Sequence, residues 1–275
     1  MLKKLLRYDL QSVFKYWWIA ALASFGISIL GGGSIATLAS EHNDSALLTA
    51  GAGIGVFIAI MGLCAFMLSS TILIFVRFYK NFFTDEGYLT FTLPVRRSQL
   101  IISKLIMSVL VNFSTALVFF IDIIFMLSIG IGSEVILEEI PAELAEFTKY
   151  LNFKVSLYIL IYIIEFLFFV LLSSATATLF MFCCITFASI ITKKAKVLTA
   201  IGIYYVATSI VSSITQFLYL FGIGAFSEWF AGLPDNMYAP IIAVIILLMI
   251  SFVGLIGLLL YLLMHWMLDR KLNLA

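Results

Sequence analysis

The sequence predicts an all-α fold, a polytopic membrane bundle of six transmembrane helices forming one domain over residues 1–275. An amphipathic in-plane helix at 1–16 and a short helix in the loop between spans two and three complete it. Three observations predict this class. Only 11% of the residues are charged and 63% are hydrophobic, whereas soluble chains carry about 25% charged residues. The mean hydropathy is +1.16, and several apolar runs exceed the ~20 residues that cross a bilayer. The charges between these runs alternate in sign along the chain.

The runs are Trp17–Leu38, Gly51–Val76, Leu105–Gly132, Val155–Ile191, Val197–Phe226 and Ile241–Trp266. The fourth, at ~1.5 Å per residue, measures about 55 Å against a ~30 Å hydrocarbon core, so it must tilt, break or protrude. Bases cluster at Lys3, Lys4, Arg7 and Lys15, at Arg77, Lys80, Arg96, Arg97 and Lys104, at Lys193, Lys194 and Lys196, and at Arg270 and Lys271. Between these clusters stand Glu41 and Asp44, then the loop 133–154 with Glu134, Glu138, Glu139, Glu143 and Glu146, then Glu228 and Asp235. Fourteen of the 16 Lys and Arg therefore share one side of a six-span bundle. The positive-inside rule makes that side cytoplasmic and puts both termini there, in a multi-pass protein of the cell membrane.

At the N-terminus, Leu2, Leu5, Leu6, Leu10, Val13, Phe14 and Trp17 recur at helical spacing, with Lys4, Arg7, Gln11 and Lys15 on the other side. This pattern fits an interfacial helix with its bases toward anionic headgroups, or else an early start of the first span. The stretch carries no small-residue cleavage site and reads as retained. Asp9 falls in the apolar arc, where the pattern gives it no reason to be.

The connection Arg77–Lys104 is far longer than a helix–helix turn requires. Thr84 followed by Asp85 and Glu86 suits a helix N-cap with acids in the first turn. Pro94 ends that short helix, and Ser98 suits a cap for the third span. Phe82, Phe83, Tyr88 and Phe91 sit on or beside the helix, and an apolar cluster outside the bilayer marks a docking surface or an interfacial anchor. Farther on, Leu220–Pro240 combines glycines, Pro234, Trp229 and Tyr238, which fits either a re-entrant segment or a plain hydrophobic loop.

With its basic N-terminal helix, six spans and the loop FYKNFFTDEGYLTFTLPVRRSQLIISK, the chain resembles permease subunits of exporter-type ATP-binding-cassette transporters. The resemblance covers the whole chain in outline and is sequence-specific in that loop. It implies that the loop forms a coupling helix against a separate nucleotide-binding subunit. The contact would fall on Thr84, Asp85, Glu86, Gly87, Tyr88 and Leu89, supported by Phe82 and Phe83. It also implies a second permease copy or a homologous permease as partner.

Chemistry of the chain's own is not visible. No glycine is followed by lysine, so the phosphate-binding G-x-x-x-x-G-K-[ST] loop is missing and any ATP must be bound by another subunit. His42 and His265 stand far apart, and neither C-x-x-C nor G-x-S-x-G occurs. The expectation is a transport component without enzymatic activity, cofactor or metal of its own, and without a nucleic-acid partner.

Asp122 and Glu165 are the acids inside the spans. A charged carboxylate at mid-bilayer costs roughly 2.5–3.5 kcal/mol on insertion scales, which makes both candidates for a substrate path. The alternative is a neutral or hydrogen-bonded carboxyl in a helix interface, served by residues such as Asn112, Ser156 or Tyr158. Two further function classes stay open: an ion-coupled transporter using Asp122 and Glu165, and a non-transporting membrane scaffold. Gly51 and Gly55 form a G-x-x-x-G that permits close helix approach.

Overall fold

The computed structural model describes residues 2–40, 45–84, 97–132, 153–192, 195–232 and 237–270, together with Gly87, Pro141 and Pro234. They form six helices: α1 (Leu2–Ala39), α2 (Ala46–Phe83), α3 (Arg97–Ile131), α4 (Phe153–Ile191), α5 (Lys196–Ala231) and α6 (Tyr238–Arg270). Each is long and apolar enough to cross a membrane, and there is no strand among the described residues. Lipid offers backbone groups no hydrogen bonds, so a chain this apolar must satisfy them within helices.

The helix ends follow from local chemistry. Among the described residues, none of the six helices has a proline in its interior. Pro240 occupies the first turn of α6, where the missing N–H costs nothing. Gly132 ends α3 with φ +109, a conformation that suits a residue without Cβ. Ala195 takes φ 59 in the short turn between α4 and α5, and its carbonyl accepts both the backbone N–H and the hydroxyl of Thr199 at 3.1 and 3.0 Å.

The chain divides into two compact units. The first contains α1, α2 as far as Arg77, and α3 from Ile106. Here α1 and α3 run parallel: Trp17 faces Thr115, Phe25 stacks on Phe125 at 4.6 Å, and Gly31 meets Met126. The α2 helix runs against both, with Gly62 beside Ile27, Gly55 beside Ser34 and Ser70 beside Thr115. Ala59, Leu63 and Met126 form a buried core, ringed by Ile27, Ile35, Phe119 and Ile123. At one end of that core the Trp17 indole N–H donates to Thr115 Oγ1 (2.9 Å), which lies 3.0 Å from Ser70 Oγ and donates to the Val111 carbonyl (2.8 Å). A polar group sealed between apolar helices thus has its hydrogen bonds met locally.

The second unit contains Phe78–Leu105, α4, α5 and α6. Here α4 and α6 run parallel in one register. Tyr162 O–H donates to the Ala239 carbonyl (2.7 Å) and Cys183 S–H to Leu260 (3.4 Å), while Thr176 Oγ1 lies 3.4 Å from the Val253 carbonyl, each pair 77 residues apart. Gly257 permits this approach, because a Cβ there would lie 2.8 Å from Thr176 Oγ1. The antiparallel α5 meets α4 through Phe180 and Tyr204, ring centroids 6.0 Å apart.

Several expectations change. Residues 2–16 are not a separate in-plane helix but the first turns of one continuous 38-residue α1. Asp9 is buried there because it pairs with Arg77 of α2 at 3.6 Å, a partner too distant in sequence for the periodicity of α1 to reveal. The fourth run does not break: α4 is a single helix of 39 residues. The helical parts of α2 and α3 reach Phe83 and begin at Arg97, shortening the expected connection 77–104 from both ends. The α5 helix continues to Ala231 through Gly222 and Gly224, so no re-entrant break occurs there; isolated glycines weaken a helix by only about 1 kcal/mol each. Most of the acidic segment 133–154 lies outside the described residues.

Of the G-x-x-x-G pair, Gly55 lies against Ser34, whereas Gly51 meets nothing within 4 Å. A tighter approach is at Gly31, where a Cβ would stand 2.6 Å from the Ala59 Cβ and 2.7 Å from Met126 Sδ. Gly31→Val should therefore cost about 1–3 kcal/mol by overpacking and lower the melting midpoint of the detergent-purified protein, followed by tryptophan fluorescence. Gly33→Val, two residues on with nothing within 4 Å, should stay within about 0.5 kcal/mol of the parent.

Candidate functional site

Two regions carry chemistry. The first is the join between α2 and α3. The last turns of α2 bring Phe78, Phe82 and Phe83 onto one aromatic cluster, in which Phe78 stacks on Phe182 of α4 at 3.8 Å and 8°. Phe78, Phe82 and Phe182 are at most 1% exposed. Phe82 therefore packs inward, while Phe83 is half-buried and Thr84 is exposed.

Thr84 closes α2. Its hydroxyl donates back to the Lys80 carbonyl (2.6 Å), and its carbonyl accepts the Gly87 N–H (2.7 Å). Gly87 is buried against this turn, and a Cβ there would stand 2.7 Å from the Phe82 carbonyl oxygen. Glycine is thus the residue that lets the chain fold back. Asp85, Glu86, Tyr88 and Leu89 lie outside the described residues. On the returning side, Leu100, Ile101, Ser103 and Lys104 are buried in the first turns of α3.

The second region is the intramembrane carboxyls. Asp122 is fully buried in the first unit. Ser24 of α1 is a polar neighbour, but its hydroxyl donates to the Ala21 carbonyl at 2.8 Å. Among the described residues, neither carboxyl oxygen of Asp122 has a hydrogen-bond partner. Ser28, one turn along α1, is also fully buried and donates to the Phe25 carbonyl at 2.7 Å. Glu165 is half-buried in the second unit, with Oε2 sealed and unpartnered. Tyr162, one turn before it, spends its hydroxyl on Ala239 instead. The two acids belong to different units, so the structure does not join them into one site.

A third feature escaped sequence reasoning. A groove of about 840 Å³ runs along α4, α5 and α6 in the second unit, with Thr176, Phe180, Tyr204, Thr208 and Gln216 among its walls. The available signal was the polar stripe Thr208, Ser212, Thr215 and Gln216, at helical spacing in an otherwise apolar run. The described residues hold no group of three or more His, Cys, Asp or Glu side chains that could bind a metal. Cys64, Cys183 and Cys184 are free thiols. No protein-family model matches the chain, and no curated protein or solved structure matches it either.

The Phe78–Phe182 stack is what fixes the end of α2 to α4. Phe78→Ala and Phe182→Ala should each destabilise by about 3–5 kcal/mol. The double variant should lose less than the sum, with a coupling of about 0.5–1.5 kcal/mol, read from thermal unfolding of the four purified proteins.

Proposed function

We propose that this chain is the membrane-spanning subunit of an ATP-binding-cassette exporter in the cell membrane. A separate subunit binds and hydrolyses the ATP, and a second permease copy completes the path. The basic helix ends face the cytoplasm with both termini, as the positive-inside rule requires. The observation that carries the reading is the way the α2–α3 join is built. Residues Phe78–Leu105 pack with α4, α5 and α6, while the rest of α2 and α3 packs with α1. A force on the Thr84–Leu89 segment is then felt by the second unit through the Phe78–Phe182 contact and by the first unit along α2 and α3. Closure of two ATPase subunits against this segment would bias the permease between inward- and outward-open states.

The test is co-purification of the full chain with an ATPase bearing G-x-x-x-x-G-K-[ST], encoded by a neighbouring gene. Asp85→Lys combined with Tyr88→Ala should lower the recovered ATPase at least tenfold while leaving the permease in the membrane. Equal recovery of the ATPase with the altered chain would overturn the assignment of the contact.

The unpartnered burial of Asp122 favours a second reading, an ion-coupled transporter in which this carboxyl carries the ion. The two readings separate in membrane vesicles loaded with substrate. Under the exporter reading, transport requires ATP and survives a protonophore, and Asp122→Asn and Glu165→Gln report whether either acid lines the path. Under the second reading, transport persists without ATP, is abolished by the protonophore, and falls at least tenfold with Asp122→Asn.

A further inference from the structure

The first unit holds an acid with nothing to balance it. Along the apolar stretches of α1 (17–39), α2 (46–76) and α3 (105–131), Asp122 is the one charged side chain, and histidine and tyrosine are absent. Cys64 of α2 is the other titratable group on these stretches, and it is exposed. The bases lie toward the helix ends: Lys15 stands nine residues before Ser24, about 13 Å along α1, and Lys104 eighteen before Asp122, about 27 Å along α3. Arg77 is paired with Asp9. An ionised carboxylate fully buried beside no opposite charge is too costly to keep in such apolar surroundings, so a cation must accompany it.

The oxygens within reach decide which cation. Ser24 of α1 is the polar neighbour of Asp122, at the same offset of 98 residues that joins Trp17 to Thr115. Ser28 follows one turn along α1, and both serines are at most 1% exposed. Magnesium and calcium draw on about six to eight oxygens. Here the carboxyl brings two and Ser24 one, while the Ala21 and Phe25 carbonyls already accept the serine hydroxyls. That set is too small for a metal ion.

A proton asks for much less. It needs one carboxyl oxygen and, once bound there, one acceptor for the new O–H. Ser24 Oγ suits that part. Its own hydrogen is donated to the Ala21 carbonyl at 2.8 Å, so it cannot donate to a carboxylate at the same time but keeps lone pairs that accept. An acid at Asp122 completes a chain from its O–H to Ser24 Oγ and from the Ser24 O–H to Ala21, leaving no donor unmet. The carboxylate form would face the same serine without a donor, and neither of its oxygens has another among the described residues.

We propose that Asp122 and Ser24 form a single-proton site, in which the buried carboxyl carries one proton and donates that O–H to Ser24 Oγ. Loading joins one carboxylate to one proton from water, and nothing is oxidised or reduced. Release returns the proton to water admitted between α1 and α3. The site names the ion of the ion-coupled reading and rests on that reading for any use of the proton in transport.

The experiment is infrared difference spectroscopy on the full chain in phosphatidylcholine vesicles at neutral pH. The parent spectrum minus that of Asp122→Asn should show the C=O stretch of a protonated carboxyl. Ser24→Ala should keep that band and move it to higher frequency as the hydrogen bond is lost, whereas Ser28→Ala should leave it in place. Radioactive sodium retained by the parent should not exceed that retained by Asp122→Asn. Carboxylate bands in place of the acid band overturn the proposal, as does sodium held by the parent and lost with Asp122→Asn. An unmoved band in Ser24→Ala overturns the assignment of the acceptor. Where Asp122→Asn does not fold, the parent with isotopically labelled aspartate carboxyls gives the same reading, and the lack of a labelled acid band overturns the proposal. Transport assays separate the two levels. An acid band beside transport that requires ATP supports the proton site and removes the ion-coupled reading, whereas ATP-independent transport without an acid band overturns the site and leaves ion coupling standing.

Discussion

Hydrocarbon supplies no hydrogen bonds, and that single constraint organises the molecule. It forces the backbone into long helices and leaves each polar side chain to find a partner within reach of its own helix or a neighbour. The serines and threonines mostly do so by donating to carbonyls three or four residues back, as Ser24, Ser28 and Thr176 do. Where they reach across, they mark the tight seams: Thr115 receives the Trp17 indole in the first unit, and Thr176 approaches the Val253 carbonyl in the second. Against this economy Asp122 is an exception. Its burial is complete and its oxygens have no partner among the described residues, so retaining it costs stability that a serine or leucine would not. In the proposed transporter that cost is offset by what a carboxyl can do in the path.

The parallel pairing of the outer helices in each unit follows from the same constraint. In the first unit, α1 and α3 keep a nearly constant offset from Trp17–Thr115 to Gly32–Ile129, with small residues at the closest approach. In the second, α4 and α6 keep an offset of 77 residues at three contacts spread over about six turns. Lipid-facing surfaces are as apolar as the contacts, so association rests on close backbone approach and on hydrogen bonds rather than on exclusion of water. Gly31, Gly32 and Gly257 supply the approach; a Cβ at any of them would meet a neighbour at 2.6–2.8 Å.

Much of this was legible in the sequence, because hydropathy and charge alternation are one-dimensional signals. Six apolar runs became six helices, and the candidate acids were visible as charges in apolar context. What was not legible was long-range pairing. Asp9 looked misplaced in the apolar arc of α1 because Arg77, its partner, is contributed by another helix. The helix ends also ran past the apolar runs, since α2 gains Phe78 and Phe82 as core residues once Phe182 lies opposite. Hydropathy records composition and cannot tell an aromatic residue at a membrane edge from one buried against a neighbour. The groove was missed for a related reason: a stripe of hydroxyls on α5 becomes a wall only when α4 and α6 stand beside it.

The stiffness of the α2–α3 join bears on how any force applied there would travel. Between Thr71 and Phe83, and again between Arg97 and Asn112, there is neither glycine nor proline. Sharp helix kinks arise almost always at proline, at glycine–serine pairs, at bulges or at inserted groups. The two helices therefore pass Arg77–Phe78 and Leu105–Ile106, where the packing partners change from one unit to the other, without a built-in hinge. Gly87, by contrast, is packed against the Phe82 carbonyl at the end of α2. Stiff helices on either side of the join carry a displacement along their own length. In the proposed exporter, this stiffness converts a push from outside the bilayer into movement of helices within it.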